Sequence, residues 1–187
     1  MSIAERVKES VFAFRDGRFE SALLSACIAA GATSRREHPS EKRDSVRYKA
    51  FVHDYRWLIG YVGLRGVVAN RMKLASLHPD LKPAEDGSVG FEDVLYSVVR
   101  CCLVHEGGLQ DYVILEPNVI FGYKDGKYQL PNHLSLGLIA AVVASPVNAN
   151  ERIGTTVNMP FLRSVLPLDL LWGKRDAIAK MMIDKSL

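Results

Sequence analysis

Apolar residues at positions 91, 94, 95, 98, 99, 102 and 103 recur with the i, i+3, i+4, i+7 spacing of an amphipathic helix. The pattern predicts a helix over 91–108, stopped at Gly107-Gly108. On an ideal α-helix Arg100 falls roughly opposite the centre of that stripe. An arginine there is either solvated or pressed against a second surface. Upstream, Ile3, Val7, Val11 and Phe14 share one face of a first helix over 2–14, stopped near Asp16-Gly17. Residues 19–34 are dense in Ala, Leu, Ile and Cys, which predicts a largely buried helix in close contact with its neighbours. A third helix over 45–57 offers Val46, Phe51, Tyr55 and, just beyond it, Leu58 to the core. Gly60, Gly63 and Gly66 follow and read as a loop or a loosely wound helix edge. Residues 77–90 hold two prolines and two glycines and read as a loop.

Beyond Gly108 the period changes to two. Residues 112–117, 118–123 and 127–131 read as short strands, with Lys124-Asp125-Gly126 as a hairpin turn. Asn132 is placed to cap a strongly apolar helix over 133–144, ended by Ser145-Pro146. A polar loop with room for a short strand follows, and residues 168–183 read as a closing helix. The expected architecture is mainly α. A helical core over 1–110 is followed over 111–187 by a β-hairpin and a C-terminal helical cap, all in one domain of 187 residues.

Composition adds limits. With 48% hydrophobic residues the chain can bury a core without disulfides or metal. A net charge of +3 permits nucleic-acid binding but argues for it only where the charge is concentrated. Cys27 and the adjacent Cys101-Cys102 form neither a disulfide framework nor a CxxC pair, as expected of a reduced cytosolic protein. The N-terminal stretch is too polar for a secretory signal, and the apolar run 136–144 is far shorter than a membrane span. A cytoplasmic protein with no membrane partner is expected.

Charge is concentrated in one place. Residues 35–49 carry six Lys or Arg against three acids, with Pro39 breaking any helix. Arg35, Arg36, Lys42 and Arg43 there are candidates to grip phosphates; the alternative is a solvated turn of internal ion pairs. Tyr48, Tyr55, Trp57 and Tyr61 could stack on bases, although at helical spacing they also suit a core. The glycines of residues 60–66 make no P-loop, because no strand precedes them and no GK[ST] follows. His38, His53, Asp44, Asp54, Glu92 and Asp93 show no metal-ligand spacing, so neither metal nor cofactor is expected. His105 is the group near Arg100 that could titrate near neutral pH.

The segment Arg100-Cys101-Cys102-Leu103-Val104-His105 fits the Arg-x(4–6)-His motif of the HEPN superfamily, and it resembles the form found in stand-alone prokaryotic members. Residues 19–55 resemble that family's second helix, basic turn and third helix. The resemblance covers about residues 1–110 and implies a HEPN-like helical bundle, commonly a homodimer in which two motifs meet in a cleft. It implies a metal-independent endoribonuclease of the kind found among toxins and defence components, acting on RNA. Arg100 would steady phosphate charge and His105 would move protons, as their chemistry allows. It also admits a non-catalytic module that binds a nucleotide or a protein partner such as an antitoxin. The family often carries Asn, Asp or His directly after the arginine; Cys101 in that position leans towards the binding alternative.

Overall fold

A computed structural model describes residues 2–68, 71–73, 78–154, 156–161 and 164–184. Leu77, the first residue of the expected 77–90 loop, and Thr155 of the polar loop lie outside the described residues. The fold is mainly helical.

Helix α1 (Ile3–Arg15) starts at a capping box. The Glu5 amide donates to the Ser2 hydroxyl at 3.1 Å, and the Ser2 amide donates to the Glu5 carboxylate at 2.7 Å. Ile3, Val7 and Val11 are buried along one face. Helix α2 (Phe19–Glu37) turns Ala22, Ala26, Cys27, Ala29 and Ala30 inward, and these small side chains allow neighbouring helices to approach closely. It runs one turn further than its apolar pattern suggested, to just before Pro39. Helix α3 (Asp44–Gly63) also runs on, through Gly60 and Gly63. Those glycines are contact points in a helix and not a loop. A Cβ on Gly63 would stand 3.2 Å from the Cα atoms of Gly137 and Leu134 on the neighbouring helix.

That neighbour, α5 (Leu134–Ala144), is the centre of the molecule. All eleven of its residues are buried, so it is apolar all round, as a helix enclosed by others must be. Helices α1, α2 and α3 all pack on it. Helix α4 begins at Phe91–Val94 and continues, with i→i+5 π winding, through Leu95–Arg100 and Cys102–Glu106. Gly107 stops it in a left-handed conformation at φ 80°. All seven stripe residues, 91 to 103, are buried.

Strands β1 (Arg71–Met72) and β2 (Val89–Gly90) pair just ahead of α4. A three-stranded sheet follows with order β3-β5-β4, made of β3 (Val113–Glu116), β4 (Gly122–Lys124) and β5 (Lys127–Pro131). Asp125 and Gly126, both at positive φ, make the β4–β5 hairpin turn, while β3 runs parallel to β5. Strand β4 starts at Gly122, later than the expected 118, and leaves Ile120 exposed.

The polar loop after α5 leads into a second hairpin, β6 (Asn158–Phe161) and β7 (Ser164–Pro167). The closing helix expected over 168–183 is broken. A 3-10 turn at Leu168–Leu170 is separated from α6 (Arg175–Asp184) by Gly173 at φ 73°. A side chain there would collide with Ala149, its Cβ lying 2.5 Å from that of Ala149. Among the described residues no helix is long and apolar enough to cross a membrane.

Candidate functional site

Arg100 does not face solvent or an open cleft. It is 9% exposed, although it lies off the apolar stripe, because α2 and α3 of the same chain cover that side of the helix. Gly31 on α2 lies beside it. A Cβ on Gly31 would lie 3.7 Å from Nη2 and 3.8 Å from Nε of Arg100. Asp44, at the first turn of α3, forms an ion pair with it, Oδ2 to Nη2 at 2.7 Å. A carboxylate there is also favoured by the helix dipole. The guanidinium lies against two neighbouring rings, 5.2 Å from the centroid of Tyr48 and 5.3 Å from that of Tyr96, which are themselves 5.8 Å apart. Nε and Nη1 are buried with no hydrogen-bond partner.

The surroundings are desolvated. Burial pushes the Cys27 thiol up to about 12 and raises the Tyr48 phenol well above its ordinary value. The two groups lie 3.7 Å apart, Sγ to Oη. Lys49 pairs with Asp93 at 2.8 Å and lies over the Tyr96 ring, tying the start of α4 to α3. Cys101 is half-buried and burial raises its thiol too. Alkylation of the native protein at mildly alkaline pH is therefore expected to label Cys101 first and to spare Cys27 and Cys102, as peptide mapping would show. Labelling of Cys27 as fast as Cys101 would contradict this packing.

His105 is exposed and makes no hydrogen bond or ion pair among the described residues. On an α-helix it would lie about 140° around from Arg100. The i→i+5 winding of 95–100 and 102–106 is interrupted at Cys101, which keeps ordinary α-helical backbone angles. The two side chains differ in environment, one enclosed and ion-paired, the other in water. Glu106, beside His105, is engaged by the Gln110 amide.

The basic turn is largely neutralised by nearby acids. Arg36 donates to Asn148 and to Glu151, both at 2.9 Å. Arg43 pairs with Glu41, holding that carboxyl down to about 2. Arg47 donates to the Glu41 carbonyl and stands 3.5 Å from Asp44. Arg35 and Lys42 are exposed and have no ion pair among the described residues. Tyr48 and Tyr55 are wholly buried, so neither can stack on a base; Trp57 and Tyr61 are half-buried. Among the described residues no group of three or more His, Cys, Asp or Glu stands together to hold a metal ion.

Asp44, Tyr96 and Gly31 complete the arginine's surroundings and carry no motif. The one local hint was an acid at a helix start. Comparison with known proteins gives a family and no activity. The chain is 27% identical over 182 residues to the uncharacterized protein Rv1289 of Mycobacterium tuberculosis, covering 94% of this chain and 85% of that protein. The uncharacterized protein Mb1320 of Mycobacterium bovis is similar to the same extent. No solved structure matches. The Rv1289 family profile matches residues 2–186, nearly the whole length, and the chain therefore belongs to the Rv1289 family.

Proposed function

We propose that this chain is a HEPN-like module that binds a partner without cutting RNA. The observation that carries this reading is the state of Arg100. Its charge is already matched by Asp44 within one chain, and α2 and α3 shield it from an incoming phosphate. An arginine used to stabilise a phosphorane needs its fork directed at substrate oxygens. Here the fork braces α4 against α2 and α3. The basic turn supports the same reading, since four of its six cations already have acidic partners. A protein partner, a second copy of this chain included, suits such a surface better than RNA, and a cytoplasmic setting fits the reduced thiols.

The test is the salt dependence of RNA binding. Each phosphate neutralised contributes a slope of roughly 0.7–0.9 in log K against log salt. With Arg35 and Lys42 as the unpaired cations, the slope is expected to stay below about 2. A slope near 5, reduced in stepwise fashion by neutralising Arg35, Arg36, Lys42 and Arg43, would instead make RNA the partner.

A second reading, metal-independent RNA cleavage in a homodimer cleft, is favoured by two observations. His105 is exposed and without a hydrogen bond or ion pair among the described residues, and Nε and Nη1 of Arg100 lack hydrogen-bond partners. In that reading a rearrangement would release Arg100 from Asp44 and bring two motifs together, and the protein would serve as a toxin or defence nuclease.

A further inference from the structure

Further along α3 from Asp44, an open cavity of about 500 Å³ is lined by His53, Asp54, Arg56, Trp57, Val68 and Arg175. Asp44 and Asp54 are ten residues apart on that helix, about 15 Å along its axis. The volume lies within the usual range for small-molecule sites. Three separate stretches of chain meet here: α3, the segment that follows it, and the first turn of α6. A glycine lets the second of them close in. The chain at Val67–Val68 lies directly on α3 at Gly60, where a Cβ would stand 3.1 Å from the Val68 Cα.

Both arginines of the lining are held in place without an acid. Arg175 lies over the Tyr55 ring, 4.6 Å from its centroid, and donates through Nη2 to the Asp54 carbonyl at 3.1 Å. Arg56 donates through Nη1 to the His53 carbonyl at 3.1 Å and to the ring nitrogen Nε2 of His53 at 2.7 Å. A guanidinium only donates, so that ring nitrogen is the acceptor. Arg6, Arg18, Arg36, Arg43, Arg47 and Arg100 each face a carboxylate. Arg56 and Arg175 have no ion pair among the described residues. Nε and Nη2 of Arg56 and Nε and Nη1 of Arg175 make no hydrogen bond there and are open to solvent. The Asp54 carboxylate is exposed and has no partner among the described residues either. Trp57, half-buried, adds an indole to the wall.

We infer that this cavity binds a sugar phosphate. Two guanidiniums without acids match one phosphate monoester, which carries about −1.5 to −2 charge and offers its oxygens to planar forks. The Asp54 carboxylate only accepts, so beside a phosphate it needs donors, and sugar hydroxyls supply them. Trp57 and Val68 take the carbon skeleton, and the forks, already fixed by Tyr55 and His53, lose little freedom on binding. The site lies outside the basic turn, goes beyond the partner-binding reading and does not depend on it.

Calorimetric titration of the full chain with ribose 5-phosphate, inorganic phosphate and ribose tests this. Ribose 5-phosphate is expected to bind at least about tenfold more tightly than inorganic phosphate. Arg56→Gln and Arg175→Gln are each expected to weaken it about tenfold, whereas Arg35→Gln, an exposed cation away from the cavity, is expected to change it less than about twofold. The two arginines sit on different helices, so a variant that fails to fold leaves the other to decide. Asp54→Ala keeps the backbone carbonyl that holds Arg175 and removes the carboxylate. It is expected to tighten inorganic phosphate and to cut the preference for ribose 5-phosphate to below about threefold. Absence of ribose 5-phosphate binding at millimolar concentration, equal binding of inorganic phosphate to wild type, or binding unchanged in both arginine variants would overturn the assignment. So would an equal loss in Arg35→Gln, which would mean general attraction to a basic surface, or tight binding of ribose alone.

Discussion

Asp44→Ala is expected to destabilise the fold by about 3 kcal/mol, the lower end of what breaking a buried ion pair costs. The lower end applies because the Asp44 side chain is a third exposed, whereas that of Arg100 is 10% exposed. The cost arises on the arginine. With Asp44 gone, Nη2 joins Nε and Nη1 without a partner, and a full charge stays buried against two tyrosine rings. Asp44 also faces Arg47, so its loss leaves a second guanidinium less well matched. The double variant Arg100→Met/Asp44→Ala is expected to recover to within about 1 kcal/mol of wild type, because a hydrophobic side chain of similar reach replaces the charge. Urea unfolding of the wild type and the two variants checks both statements. An Asp44→Ala midpoint equal to wild type would show that the pair does not anchor α4.

Gly137→Ala is expected to be comparably damaging, for a steric reason. A Cβ there would stand 2.8 Å from the Ile59 carbonyl oxygen and 2.9 Å from the Gly63 Cα. Both are backbone atoms of α3 and cannot swing aside, so the central pair of helices must separate. Overpacking of this kind costs up to about 3 kcal/mol, of which alanine's better helix propensity returns at most about 1. Gly31→Ala is the control. Its nearest atoms belong to the Arg100 side chain at ordinary van der Waals distance, so stability is expected to hold or rise by up to about 1 kcal/mol. Thermal melts separate the two. Equal melting of Gly137→Ala and wild type would contradict the close crossing of α3 and α5.

The sequence spoke clearly where one element's own pattern sufficed. The stripe from Phe91 to Leu103, the Ser2 start of α1, the all-apolar α5 and the Asp125-Gly126 turn are local signals, and each is where the pattern put it. Gly60 and Gly63 misled because a glycine at a turn and a glycine at a close helix crossing look alike in sequence. The break at Gly173 was hidden for the same reason, being set by Ala149 across the fold. The enclosure of Arg100 rests on Asp44 and Tyr48, more than fifty residues earlier. Among the basic residues, the acid for Arg43 was visible two positions away in Glu41, whereas Glu151, the partner of Arg36, was not.

The reading of Arg100 as an internal brace is tested most directly by incubating a labelled structured RNA with the wild-type protein in EDTA, beside His105→Ala. EDTA silences contaminating metal-dependent nucleases. The account predicts that neither protein cleaves the RNA and that His105→Ala unfolds at the same urea concentration as wild type. Cleavage by the wild type that disappears in His105→Ala, with the fold intact, would contradict it and establish a nuclease.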